Sequence, residues 1–218
     1  MQAHQTAPFH WAQEWTGQFF ARKDLCKLGL VYTLGHAGDI CPSTLGDDGG
    51  IRFIVVDVNG IHTTRLRFCS CPGSGTHARQ LTKARLFPAT IERPETAFTF
   101  DVLKQFHIHC FESKRSAFDY IGALRRMTDN TGTEVVPVRL LSYSVYLSNI
   151  CGQDPYSQFL RVVRIWRVLT MEKHSGQVHT VDGVTPHVLG SLLVRCPACP
   201  RPLINMDPNW EQINESHR

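Results

Sequence analysis

The sequence predicts an α+β fold in which a β-hairpin or small sheet with cysteine-bearing loops is followed by a helical region and a C-terminal C-x-x-C knuckle. The first observation is a β-branched run, IRFIVVDV at 51–58, next to Asn59-Gly60, which is a strong signal for a hairpin turn. The second is the helical spacing of apolar residues in three later segments. The third is the grouping of cysteines in short-spaced pairs.

The hairpin returns through IHTTRLRFC, residues 61–69. Alternation along this strand puts Arg65, Arg67 and Cys69 on one face and His62 on the other. We therefore expect the two arginines to face outward and His62 to point away from Cys69.

Three helices are predicted after the hairpin. Thr99 is the N-cap of the first and Ser116 of the second, and Asp154-Pro155 begins a third that Gly176 ends. The residues expected to face the core are Val102, Leu103, Phe106 and Cys110 in the first helix, Phe118, Ile121, Leu124 and Met127 in the second, and Phe159, Val163 and Trp166 in the third.

Length, composition and targeting signals exclude several classes of protein. A chain of 218 residues can bury one core without disulfides, and no apolar run approaches the roughly 20 residues that cross a bilayer. The N-terminal segment lacks the pattern of a secretory signal. We therefore expect a nuclear or cytoplasmic, reducing compartment for the eight cysteines, with no membrane partner. In such a compartment, closely spaced cysteines and histidines indicate metal ligands rather than disulfides.

The spacing of the cysteines predicts a zinc site. Zn²⁺ is held by about four thiolates or imidazoles in a tetrahedron, so ligands occur as closely spaced pairs. Cys69 and Cys71 form one pair, and the Pro-Gly that follows must bend the chain to bring their sulfurs together. Cys196 and Cys199, in RCPACPRP, form the other. The surrounding prolines argue against a redox-active C-x-x-C.

A third, looser pair lies in LGHAGDICP, where His36 and Cys41 are five residues apart around a glycine turn. We favour His36 and Cys41 as the partners of Cys69 and Cys71, since both segments lie beside the hairpin. An all-cysteine site that joins the two cysteine pairs is the alternative.

Basic residues are concentrated around the first cysteine pair. The net charge is only +4, but residues 61–93 carry six arginines and lysines against Glu92 alone. Such a patch suits phosphate backbones, although a solvated surface gives the same pattern. The residues predicted to contact nucleic acid are Arg65, Arg67, Arg79, Lys83 and Arg85.

The sequence gives no indication of an enzyme. No set of nucleophile, base and oxyanion donor emerges, and Asp57 is a lone acid whose position at the hairpin is explained by turn formation.

Taken in order, DLCKLGLVYTLGHAGDICP, VVDVNGIHTTRLRFCSC, FTFDVLKQFH and DYIGALRRMTDNTG resemble the CxC-type cysteine-cluster domain associated with KDZ transposases of fungal mobile elements. The resemblance implies a zinc-binding accessory domain that precedes a transposase core and binds nucleic acid. It places His36, Cys41, Cys69 and Cys71 at motif positions of the family. The implied partners are DNA and a transposase catalytic domain supplied in trans.

The resemblance also implies a division of the chain. The chain is expected to be truncated at its start, with His4 and His10 left from an upstream cluster, and to end before the catalytic core. The segments are a remnant of the upstream Cys/His-rich cluster at 1–20, the CxC-type domain at 21–135, an inserted loop at 136–153, a helical extension at 154–190, and a CPACP joint toward a transposase core at 191–218.

The insert at 138–153 has a second interpretation. It begins with a valine, whose codons start with GT, and ends with a glutamine, which CAG can encode, as a retained intron would. Transcript sequencing distinguishes an intron from a real loop. For the whole chain, the alternatives to a DNA-binding accessory domain are a protein-interaction module for a transposase in trans and a non-functional transposon remnant.

Overall fold

The structure is a computed structural model, which describes residues 4, 7–44, 49–129, 155–176, 198–199, 201, 204–206 and 209. The chain divides into two compact units, Met1–Trp166 and Arg167–Arg218. The predicted insert and Cys196 lie outside the described residues.

A five-stranded mixed sheet forms the centre of the first unit. In chain order its strands are β3 (Tyr32–Thr33), β4 (Ile51–Asp57), β5 (Gly60–Arg67), β6 (Leu86–Pro88) and β7 (Thr96–Thr99). Their spatial order is β3-β5-β4-β7-β6, in which β3 runs parallel to β5 and β7 runs parallel to β4.

The antiparallel pair β4 and β5 confirms the predicted hairpin. Its two turn residues are Val58 and Asn59, because Asp57 pairs with Gly60. The turn therefore lies one residue earlier than the Asn59-Gly60 signal indicates, and Gly60 opens the return strand with a φ of +141°.

A second hairpin, β1 (Trp11–Trp15) and β2 (Phe20–Asp24), precedes the main sheet. The sequence pattern does not indicate it. Its N-terminal end is fixed to the turn of the main hairpin, since the Trp11 indole donates to the Asn59 carbonyl at 3.2 Å. The Asn59 side chain donates in turn to the carbonyl of Phe9 at 2.7 Å.

The described residues contain four α-helices, α1 (His77–Lys83), α2 (Phe100–Glu112), α3 (Ala117–Thr128) and α4 (Pro155–Ser175). The last three confirm the predicted helices. Thr99 and Ser116 act as N-caps, accepting hydrogen bonds from the backbone N–H of Val102 and Asp119. No helix in the described part of the chain is long and apolar enough to span a membrane.

The main sheet has an apolar core on each face. On one face, Val56 and Ile61 pack with residues of α2, α3 and α4. On the other, Phe53 and Leu66 pack with Leu81 of α1. The sheet is thus held between helices on both sides, a common α+β arrangement.

The predicted buried stripe of α3 is only half right. Ile121 and Leu124 are buried, but Phe118 and Met127 are 54% and 45% exposed. Tyr120 occupies the core in their place, stacked 6.0 Å from the ring of Phe159, and so α3 is rotated relative to the predicted stripe.

Candidate metal centre

Four side chains with metal-ligating atoms meet beyond the end of β5. They are His36, Cys41, Cys69 and Cys71, and their ligand atoms all lie within 4.8 Å of one another. Two separate loops supply them, one after β3 and one after β5. The structure thus brings together the set of ligands that the sequence spacing favoured, with His62 elsewhere.

The distances between the ligand atoms fit one tetrahedral ion. The Cys41 sulfur lies 3.7 Å from that of Cys69 and 3.4 Å from that of Cys71. The Nε2 atom of His36 lies 3.2 Å and 3.5 Å from the Cys69 and Cys71 sulfurs. Zinc bond lengths in a tetrahedron give about 3.8 Å between two sulfurs and about 3.6 Å between sulfur and nitrogen. The sulfurs are too far apart for a disulfide, which requires about 2.05 Å.

The first loop depends on left-handed backbone around His36. Gly35 has a φ of +98°, and His36 and Ala37 follow at +47° and +53°. A Cβ atom on Gly35 would lie 3.0 Å from the Cβ of Cys69, so a glycine is needed for both conformation and close approach. The loop is tied to β5 where the Leu34 N–H donates to the Arg67 carbonyl at 2.8 Å.

The second loop is held by a buried glutamine of α1. Oε1 of Gln80 accepts from the Cys69 N–H at 2.8 Å, and Nε2 donates to the Cys69 carbonyl at 2.8 Å. A turn then forms in which the Ser74 N–H donates to the Cys71 carbonyl at 3.1 Å. This is the bend after the C-x-C pair that a shared ion requires.

Burial and hydrogen bonding shift the thiol pKa values in opposite directions. Burial opposes ionisation of Cys41, but hydrogen bonds from the Ser70 backbone and the Cys71 thiol outweigh it and lower the pKa of Cys41 to about 5. For Cys69, a backbone hydrogen bond from Cys71 lowers the pKa, yet burial and the neighbouring sulfurs prevail and raise it. The thiolate of Cys41 is favoured, and a cation among the sulfurs would promote ionisation of Cys69.

The cluster can therefore hold one metal ion. Three sulfurs and one imidazole are a donor set consistent with zinc, and the four protein ligands complete a tetrahedron. Cys41 is fully buried and Cys69 is buried, whereas His36 lies at the surface.

The same loops carry a family signature. Residues 25–132 match the family model described as CxC2 like cysteine cluster associated with KDZ transposases. The chain carries a CxC2-like domain. The matched range contains all four ligands, both loops and helices α1 to α3. CxC2-like domains are accessory cysteine clusters and not catalytic domains. Comparisons with curated proteins and with solved structures gave no match.

The second predicted ligand pair stays a prediction. Cys199 is exposed in the second unit, where its carbonyl accepts from the Asn205 side chain at 3.0 Å, and Cys196 lies outside the described residues. Cys110, predicted to face the core, is half-buried against the helical core, and Cys26 is half-buried in a short 3₁₀-helix.

The predicted nucleic-acid residues of the CxC2-like domain do not form one surface. Arg65 lies on the face of β5 opposite α1, whereas Arg79 and Lys83 lie exposed on α1 itself. Arg85 is exposed and forms an ion pair with Asp101 at 3.0 Å. A role of these residues in binding nucleic acid stays a prediction.

The expectation that Arg67 faces outward is wrong. Its side chain is buried, with 8% of its surface exposed. The physical reason is strand β3, which pairs alongside β5 and places Thr33 opposite Arg67. Arg67 therefore lies in the interior of the sheet and not on an open edge.

Gln80 is the site residue that the sequence pattern does not reveal. A polar residue in a short helix is normally solvent-exposed, yet Gln80 is buried beside Leu81. The sequence does contain a signal for the helix that carries Gln80. Thr76 is its N-cap, accepting from the Arg79 N–H, and marks the start of α1 after the glycine turn.

Proposed function

We propose that the CxC2-like domain is a non-enzymatic, zinc-stabilised accessory module of a KDZ-type transposase and that it binds DNA. The observation that carries the proposal is the convergence of one histidine and three cysteines from two loops 28 to 35 residues apart. A closed set of four protein ligands is typical of structural zinc, whereas catalytic zinc keeps an open position.

The zinc ion would link the His36 loop to the end of β5. Without it, the ligand side chains of the two loops meet only through thiol and imidazole contacts, and burial and the neighbouring sulfurs oppose ionisation of Cys69. Structural zinc contributes directly to folding free energy because the assembled site does not exist in the unfolded chain. We therefore expect the domain to lose stability when a chelator removes the metal.

Metal analysis of the purified protein tests the zinc assignment. We expect one equivalent of zinc, which is lost in Cys69→Ser and retained in Cys196→Ser. Retention of zinc in Cys69→Ser, or equal loss in both variants, would show that the ion is held by other residues.

DNA binding rests on charge. The net charge is +4, and exposed arginines and lysines lie on both sides of the main sheet. Contacts between such residues and phosphates release counterions, so affinity falls steeply as salt is raised. A titration of duplex DNA at increasing salt tests this; a flat salt response or no binding at low salt would refute it.

A protein-interaction module is the second candidate, and the β1–β2 hairpin favours it. Its turn exposes three aromatic side chains, Trp15, Phe19 and Phe20, each more than half exposed. Exposed aromatic groups of this kind are enriched at protein interfaces. Association with a separately expressed KDZ-type catalytic domain, lost in a Trp15→Ser and Phe20→Ser double variant that still binds DNA, would support this function.

A further inference from the structure

Two arginines lie directly opposite each other on the central strands of the main sheet. Arg52 of β4 is the register partner of Arg65 of β5, and both side chains are exposed. Opposite residues in an antiparallel pair have Cβ atoms only about 4.5–5.5 Å apart, so two like charges there are destabilising. A neighbouring negative charge would relieve the repulsion between the two side chains.

On strands β4 and β5, a further arginine and no acidic residue shares the face of the pair. Arg67, two residues beyond Arg65, shares this face by strand alternation. Asp57, the acidic residue of β4 and β5, lies at the far end and on the opposite face, where it accepts from Thr99. Among the described acidic residues, none forms an ion pair with Arg52 or Arg65.

One member of the arginine pair is held in place by a hydrogen bond. Nη1 of Arg65 donates to the Gly49 carbonyl at 3.2 Å, which fixes the guanidinium at the end of the sheet. Both strands are interior to the sheet, flanked by β3 and β7, so the two Cα positions are rigid. A guanidinium group that is already held, as in Arg65, loses less conformational entropy on binding a phosphate backbone.

We propose that Arg52 and Arg65 form the phosphate contact of the domain, and that this end of the sheet receives the backbone of double-stranded DNA. The inference rests on the proposed function, since it presupposes DNA binding, and it names the surface that does so. Charge complementarity identifies the ligand of this surface as a polyanion. A polyanion relieves the repulsion between the two arginines, and no acidic residue lies beside them on β4 or β5.

Helix α1 provides a matched control. Arg79 and Lys83 are exposed one turn apart on the other side of the sheet, and Lys83 lines a cavity of about 540 Å³ that also borders His36 and Cys71. Replacing either pair of basic residues by glutamine removes two positive charges, which takes the net charge from +4 to +2 in both cases.

The experiment compares Arg52→Gln/Arg65→Gln with Arg79→Gln/Lys83→Gln as zinc-loaded full chains. Binding to a labelled DNA duplex is measured from about 50 to about 200 mM salt. We expect the sheet variant to lose at least about tenfold in affinity at low salt and to lower the salt slope by about two, and the helix variant to keep most of both.

Each outcome decides the inference. Equal losses in the two variants, a larger loss in the helix variant, or tighter binding to single-stranded RNA than to duplex DNA would overturn it. If the wild-type protein binds duplex DNA and the sheet variant binds as tightly, only the surface is wrong. If the wild-type protein binds no duplex DNA at any salt, the proposed DNA-binding function fails as well.

A second measurement needs no DNA. Arg52→Gln removes the repulsion while leaving the Arg65 hydrogen bond to Gly49 intact. We expect its melting temperature to exceed that of the wild type at low salt, and the difference to vanish near 1 M salt, where the screening length is about 3 Å. Arg79→Gln is the control and should show no such gain. A lower melting temperature for Arg52→Gln at low salt would contradict the repulsion on which the inference depends.

Discussion

Gln80 satisfies both backbone polar groups of Cys69, accepting from its N–H and donating to its carbonyl at 2.8 Å each. Neither Cys69 nor Gln80 is exposed to water that could replace these bonds. The side chain of a short helix thereby sets the position of a predicted zinc ligand. Partners that orient ligands in this way influence metal affinity as well as stability.

Replacement of Gln80 by leucine should therefore weaken both folding and zinc binding. Leucine leaves the buried Cys69 N–H without a partner, at a cost of about 1–3 kcal/mol, while the Cys69 carbonyl keeps only the Ser74 hydroxyl at 3.1 Å. We expect a lower melting temperature in the metal-free protein and a loss of zinc affinity of about 10- to 100-fold. Chelator competition measures the affinity. Gln13→Leu, at an exposed position of β1, is the control. Unchanged zinc affinity in Gln80→Leu would show that Cys69 is positioned without this clamp.

Gly35 allows a test of the close approach between the two loops. Alanine at this position adopts a left-handed φ, which costs about 1–2 kcal/mol, and its Cβ would lie 3.0 Å from the Cβ of Cys69. Gly17 has a nearly equal φ of +96° with no atom within 4 Å of a Cβ. We expect both alanine variants to lose stability and Gly35→Ala alone to lose zinc affinity, by about tenfold. Equal zinc affinity in the two variants would show that the close approach of Gly35 to Cys69 does not influence zinc binding.

The short-range features of the fold could be predicted from the sequence. The β4–β5 hairpin and the caps Thr99 and Ser116 depend on neighbouring residues, so local patterns indicate them. The grouping of His36 and Cys41 with the C-x-C pair was also accessible, because ligand spacing and the following Pro-Gly leave few geometries that satisfy one ion.

Long-range pairing could not be predicted in the same way. The two-residue strand β3 has no periodicity to detect, yet it pairs beside Arg67, which is buried. The sequence of α3 is compatible with more than one buried face, and contacts with other helices determine which face is buried. The Tyr120 ring packs against Phe159 of α4, and its hydroxyl donates to Gln105 of α2 at 2.5 Å. A tyrosine that satisfies its hydroxyl can be buried where the sequence favours phenylalanine.

Asn59 connects the N-terminal hairpin to the main sheet and offers a third prediction. Its Oδ1 lies 2.7 Å from Nε2 of buried His62, and its Nδ2 donates to the Phe9 carbonyl. Asn59→Ala removes both bonds, for which we expect a loss of about 1–3 kcal/mol and faster proteolysis of the β1–β2 segment. Asn59→Asp keeps the acceptor for His62 and loses only the donor, so its loss should be intermediate. Equal stability of the alanine variant and the wild type would contradict this connection.

The opposed pKa shifts of Cys41 and Cys69 predict the pH dependence of the site. In the metal-free protein the low pKa of Cys41, about 5 against an ordinary value near 8.5, makes its thiolate a stabilising group. That contribution is full above about pH 8.5 and is lost as the pH falls through about 5. Cys69 acts in the opposite sense: its raised pKa favours the folded state below the ordinary value and ceases to do so as the pH rises through the folded pKa.

Zinc binding should consequently release protons near neutral pH. Cys41 is already ionised at pH 7, whereas the Cys69 thiol must lose its proton to become a ligand. We expect zinc affinity, measured by chelator competition, to rise by about tenfold per pH unit for each released proton between about pH 6 and 8. Cys69→Ser should lower this dependence and remove most of the affinity, and Cys26→Ser, half-buried outside the site, should leave both unchanged. An affinity that is constant over this range would mean that the Cys69 thiol is ionised before the metal arrives, contrary to the raised pKa that burial and the neighbouring sulfurs give it.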